Sequence, residues 1–168
     1  MRTAIALILV AGAAQSEPAP DIARLSHYME PVAGCFDAAP DFDAAKACIA
    51  VQSGVCMDIE QDGYSTFGMS NCVRAETVAW DELLNVEYAM TRDRARSWDA
   101  SETQPEYAVR AGALLDAQRV WITFRDAECA LAYTEFGAGS MRTLSYTGCA
   151  LDMTAERAIA LRFMFQEM

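Results

Sequence analysis

At 168 residues, 53% of them apolar and 22% charged, the chain has the profile of a folded globular protein and not of a disordered segment. Lys and Arg number 13 against 24 Asp and Glu, and the resulting net charge of −11 excludes the basic face that nucleic acid requires and disfavours an anionic membrane surface. A single histidine, His27, leaves no imidazole to spare for a Ser/His/Asp triad or a multi-histidine metal site, so neither a cofactor nor a metal is expected.

At the N-terminus, Arg2, the apolar run Ile5 to Val10 and the small residues up to Ala14-Gln15-Ser16 follow the order of a secretory signal peptide, residues 1–16. Cleavage after Ser16 satisfies the small-x-small rule, and cleavage after Ala13 does so nearly as well. The run Ala4 to Ala14 is too short for a bilayer span, which takes about 20 residues. The first cysteine, Cys35, lies far from the cleavage point, which argues against a lipid anchor. The sequence therefore predicts a periplasmic or secreted protein with no membrane anchor. Loss of Arg2 with no acid takes its net charge from −11 to −12.

Beyond the leader, apolar residues recur with a period of 3.6 and no stretch alternates for long, which predicts an all-α fold, a small bundle of four to six helices. Ile22, Leu25, Met29, Val32 and Phe36 mark a first helix, divided or kinked at Pro31. A second runs from about Asp43 to Met57 with Ala44, Cys48, Val51 and Val55 inward. The third is long, Met69 to Trp98, with Val73, Trp80, Leu83, Leu84, Tyr88 and Ala95 on one stripe. Acids at its start and Arg92, Arg94 and Arg96 at its end complement the helix dipole. Pro105 suits the first turn of a fourth helix, which passes through Leu114, Trp121, Phe124 and Leu131 to about Tyr133. Gly137 and Gly139 then turn the chain. A short helix, Leu144 to Ala150, and a longer one, Thr154 to Phe165 with Thr154 as N-cap, complete it.

Six cysteines in an exported chain read as a disulfide framework. The gaps of 12, 7, 15, 56 and 19 residues contain no CxxC, no CxxCH and no paired zinc knuckle. Three pairs each bracket a turn between helical stretches: Cys35 with Cys48, Cys56 with Cys72, and Cys129 with Cys149.

Three stretches combine chemistry with order along the chain. In the third helix Asp81 and Asn85 share a face, with Tyr88 one turn on; Asn is a poor interior helix residue, so its amide is expected to meet a partner on the facing helix. In the fourth, Gln118, Trp121, Arg125 and Asp126 lie among dense charges, with Trp121, Phe124 and Cys129 read as core and Asp126 placed to meet Arg157. The loop Phe136-Gly137-Ala138-Gly139-Ser140-Met141-Arg142 offers backbone amides and a cation to a binding partner.

Taken together, Asp81-x-x-Leu84-Asn85-x-x-Tyr88, Ala117-Gln118-Arg119-x-Trp121 with Arg125-Asp126 and Cys129, the glycine loop, Cys149 and Thr154-x-x-Arg157 resemble the lysozyme inhibitor LprI-like N-terminal domain family. The likeness covers about Met69 to Leu161. The family's loop reads Gly-Gly-Ser/Thr where this chain has Gly137-Ala138-Gly139-Ser140. The resemblance implies a helical domain at 69–168, with residues 17–68 as a disulfide-containing helical extension packed onto it as one unit.

It also implies a non-enzymatic exported binding protein with a protein partner, a lysozyme. Lysozymes are basic, so an inhibitor at −12 gains electrostatic steering, and Gly137, Gly139, Ser140, Met141 and Arg142 are the candidate binding residues. Asp81, Asn85, Tyr88, Gln118, Trp121, Arg125, Asp126 and Arg157 are read as structural. The alternatives are a structural or interaction module of the cell envelope with no effect on lysozyme, and an envelope hydrolase using Asp81 and Glu82 or Asp126 and Glu128. Neighbouring acids point apart on a helix, whereas paired glycosidase carboxylates face each other across about 5–9.5 Å.

Overall fold

The computed structural model describes residues 18–165, so the expected leader and its cleavage point lie outside the described residues. Everything described is helix, turn or loop, and the fold is all-α. Its frame is three long helices: α5 (Thr66–Ser101), α6 (Arg110–Thr134) and α7 (Met141–Phe163). Over them lie the shorter α1 (Pro20–Ala23), α2 (Pro31–Ala38), α3 (Phe42–Lys46) and α4 (Val51–Ile59), with 3-10 turns at Ser26–Tyr28 and Pro105–Tyr107.

The long helix α5 has 36 residues, about 54 Å at the usual rise. Ser65 starts it by accepting the Gly68 N–H at 2.9 Å. At its far end Asp99 accepts the N–H groups of Arg110 at 3.0 Å and Ala111 at 2.8 Å. A carboxylate from one helix thus caps the next, and the chain is folded back so that α6 runs antiparallel to α5. Farther along, Thr91 Oγ1 donates to the Leu161 carbonyl at 2.9 Å and Arg94 Nη1 to that of Met164 at 3.2 Å. These late-to-late contacts make α7 run the same way as α5.

Between α5 and α7 the core is built from Trp80, Leu84, Leu151, Ile159 and Leu161, with Phe36 of α2 set edge-on to Trp80 at 5.2 Å between centroids. Arg162 fastens α2 to this pair of helices: it donates to the buried Glu87 carboxylate at 2.7 and 2.9 Å and to the Phe36 carbonyl at 2.7 Å. Lys46 of α3 pairs with Glu156 of α7 at 2.7 Å.

All three expected disulfides are present, Cys35–Cys48, Cys56–Cys72 and Cys129–Cys149, with Cα separations of 5.9, 5.7 and 5.4 Å. They tie α2 to the end of α3, α4 to α5, and α6 to α7.

Several boundaries differ from the sequence reading. The single second helix is two, α3 and α4, parted at Ala50, whose φ of 65° no helix accepts. Glu76 makes that break tolerable. Fully buried on α5, it accepts the N–H of Ala50 at 2.8 Å, that of Ser53 at 2.6 Å and Trp80 Nε1–H at 3.2 Å, so a carboxylate from another helix satisfies the start of α4. The shift in phase buries Ala45, Ser53 and Cys56 and leaves Val51 and Val55 exposed.

Pro105 opens a 3-10 turn instead of α6. The expected break before Thr154 is absent: α7 is continuous, and Thr154 is a fully buried residue in its middle, not a cap. On α6 the inward stripe is Leu114, Gln118, Trp121, Arg125 and Cys129, while Phe124, read as core, is 55% exposed and Leu131, on the same line as Phe124, is 62% exposed. The outward positions Val120, Phe124, Ala127 and Leu131 have heptad spacing of their own, so periodicity marks two stripes on this helix and cannot say which one faces inward.

Candidate functional site

At the turn between α6 and α7 the candidate loop residues come together at one end of the molecule. Thr134 is the last residue of α6, and the Gly137 N–H returns to its carbonyl at 3.1 Å. Gly137 has φ 51°, which favours glycine. Gly139 is required for space: a Cβ there meets the Phe136 carbonyl oxygen at 2.9 Å. Ser140 stands at the N-cap of α7, without a side-chain bond into the helix. Its two glycines give the loop one tight course.

Around that course sit side chains of the kind found at the centre of protein interfaces. Phe136, Met141 and Tyr146 are exposed, as is the Tyr133 edge, and the Arg142 guanidinium lies over the Tyr133 ring at 5.2 Å. Arg142 is therefore held across an aromatic face and is not the free protrusion that a loop cation suggests. Glu135 accepts from the Ser145 hydroxyl at 3.3 Å, linking the two stems across the turn. The Cys129–Cys149 bridge lies just behind, closing the hairpin at its base. Sequence reading placed Phe136 in the loop but missed Tyr133 and Tyr146. Their signal is the density of aromatic residues flanking a glycine turn.

Deeper along α6 the structural motif residues converge. Arg157 of α7 donates its Nε–H to Gln118 Oε1 at 2.9 Å, and two guanidinium groups lie near the Trp121 ring, that of Arg125 at 5.2 Å and that of Arg157 at 5.7 Å from its centroid. Burial pushes the Arg157 pKa down. The expected meeting of Asp126 with Arg157 does not occur. Asp126 Oδ1 accepts from Nε and Nη2 of its own neighbour Arg125, at 3.0 and 2.8 Å, and Arg157 goes to Gln118 instead.

On α5, Asn85 donates to Asp81 at 3.1 Å within the same helix and in the open, not to a facing helix. Tyr88 lies half-buried beneath Arg92, 5.6 Å from its guanidinium. Among the described residues no group of three His, Cys, Asp or Glu is placed to hold a metal ion, and no helix is long and apolar enough to cross a membrane.

Residues 56–161 match the family model of lysozyme inhibitor LprI, a span that takes in the end of α4 and the Cys56–Cys72 bridge as well as α5, α6 and nearly all of α7. The chain is 30% identical over 104 residues to an uncharacterised protein of Rhizobium meliloti (strain 1021), a stretch covering 61% of this chain and 75% of that one. No solved structure matches. With more than half its length matched, the chain belongs to the lysozyme inhibitor LprI family.

Proposed function

We propose that this protein is a non-enzymatic, exported inhibitor of lysozyme that binds through the tip of the α6–α7 hairpin, with residues 17–68 bracing the same folded unit. The observation that carries the reading is the composition and rigidity of that tip. Phe136, Met141 and Tyr146 are exposed beside a stacked Arg142, on a turn fixed by Gly137 and Gly139 and closed by Cys129–Cys149. A turn already fixed before binding loses little conformational freedom on docking.

A cationic and aromatic turn suits an enzyme cleft whose working groups are carboxylates. The rest of the surface has a different role. A net charge of −11 attracts a basic enzyme from a distance and raises the on-rate, while the tip determines how long the complex lasts. Three disulfides and a family of lysozyme inhibitors support export to the periplasm or beyond.

Lysis of bacterial cells by lysozyme, followed by turbidity at low salt, tests the reading. The protein at equimolar to about tenfold excess slows clearing, and it does so less as salt screens the attraction. Clearing at an unchanged rate throughout that range refutes the proposal.

A further inference from the structure

A second site lies on the opposite side of α6 from its exposed apolar stripe, where the early part of α5, the later part of α6 and the middle of α7 meet beneath Pro18 and Ile22. These elements enclose a cleft of about 300 Å³, within the size range of small-molecule sites. Its walls are apolar for the most part, with Ile22, Val78, Cys129 and Ala150 among them. Thr154 is among its polar lining residues.

Thr154 is fully buried and its hydroxyl has no hydrogen-bond partner. Within a helix a threonine ordinarily returns its hydroxyl to a carbonyl one turn back. Thr77, which lines the same cleft, does so to Val73 at 2.8 Å, and Thr147 bonds to Leu144 at 3.1 Å. Thr154 does neither. A buried hydroxyl without a partner is costly, and the residue that carries it lines a cleft large enough to supply one.

The charge at this cleft has the opposite sign to that of the chain. Arg74 and Arg125 both line it, with Asp126 beside them. Asp126 is neutralised by the two bonds from Arg125, whose Nη1 has no partner among the described residues. Arg74 has neither an ion pair nor a hydrogen bond among those residues. The local balance of two cations to one acid leaves one positive charge unmatched in a protein of net −11.

We infer that this cleft binds a small organic anion: a carboxylate that pairs with Arg74 and the free edge of Arg125, accepts from the Thr154 hydroxyl, and lays a short apolar body against Ile22 and Val78. The cleft adjoins the hairpin tip at Tyr146, which lines it, but Arg74, Thr154, Ile22 and Val78 lie outside the tip, and the inference does not rest on lysozyme binding.

The test is a titration of the 15N-labelled protein with hexanoate, followed by amide chemical shifts, with hexylammonium as a control of equal apolar size and opposite charge. Hexanoate shifts the amides of Val78, Arg125 and Thr154 and saturates with a Kd on the order of 1 mM. Hexylammonium leaves them in place. Arg74→Gln weakens hexanoate binding about tenfold and Thr154→Val, which keeps the shape but not the hydroxyl, about fivefold, on the scale of a lost charge-assisted or neutral hydrogen bond. Phe136→Ala leaves the titration unchanged. Shifts of equal size with both probes, no saturation with hexanoate, or full affinity in Arg74→Gln overturns the inference.

Discussion

The Arg142 guanidinium rests 5.2 Å from the centroid of the Tyr133 ring, so the last residues of α6 and the first of α7 are joined by a side-chain stack as well as by the turn. A cation held this way is preorganised: its long side chain has already given up much of its rotamer freedom. The same contact leaves the Tyr133 edge, Phe136 and Met141 as one surface with a positive charge at its margin. Removing the stack is accordingly expected to weaken binding without unfolding the protein.

The Cys129–Cys149 bridge controls the rigidity of that surface from behind. Changing both cysteines to serine is expected to lower the unfolding free energy by about 2–4 kcal/mol, since the bridge closes a loop of 20 residues. It also increases hydrogen exchange at 135–142 and weakens inhibition of lysozyme. Equilibrium denaturation and amide exchange on the oxidised wild type and the double variant check both effects.

Glu76 is a fully buried acid with three donors on its carboxylate. Its carboxylate accepts from Ala50, Ser53 and Trp80 at once, and Gln presents an NH2 group to donors that need an acceptor. Glu76→Gln is expected to cost about 2–4 kcal/mol in urea denaturation, the range for leaving buried donors unsatisfied. A cost below about 0.5 kcal/mol contradicts the assignment of Glu76 as the cap of α4.

Acid should destabilise the fold through particular carboxylates. The N–H of Ala111, with those of Arg110 and its guanidinium, holds the Asp99 pKa below its usual range; Arg110 does the same for Glu102, as Arg24 and Tyr28 do for Glu60. A carboxyl whose pKa is lower folded than unfolded contributes stability above the unfolded value, and that contribution is lost as pH falls through the folded one. Asp152 has the opposite sign: burial and the nearby Glu156 raise its pKa, so it favours folding most in acid. Three lowered groups against one raised group give a Tm that falls between about pH 5 and pH 3. In Asp99→Asn the fall is shallower, as scanning calorimetry across that interval will show.

Two apolar stripes on α6 give a contrast in stability. Phe124→Ser and Leu131→Ser, on the outward stripe, should each change the unfolding free energy by about 0.5 kcal/mol or less. Leu114→Ala, on the inward stripe, should cost about 2–5 kcal/mol. A large cost at Phe124 in denaturant titrations means that this residue is not a surface position.

What the sequence makes legible is what local chemistry decides. The 3.6 period marks the long helices because each buries at least one face, and the cysteine pairs follow from turns lying between them. The break at Ala50 is hidden because the group that caps it, Glu76, comes from 26 residues away. Continuity through Thr154 is hidden for a related reason: a threonine that reads as a cap is here enclosed by α5 and α7 packing. On α6, Gln118 and Arg125 face inward because Arg157 and Trp121 give them partners, a tertiary effect that no apolar count detects. At the tip, the glycines announce the turn, and the exposure of Phe136 and Tyr146 is decided only by where the hairpin ends.

The most direct measurement of the central claim is calorimetric titration of a basic lysozyme with the wild-type protein and with Phe136→Ala and Arg142→Ala, at low and at physiological salt. One-to-one binding that weakens with salt is expected, with each tip variant weakening it about tenfold or more, the scale of an interface hot spot, while leaving the Tm unchanged. Full-strength binding in both tip variants, or no heat of binding by the wild type at low salt, contradicts that claim.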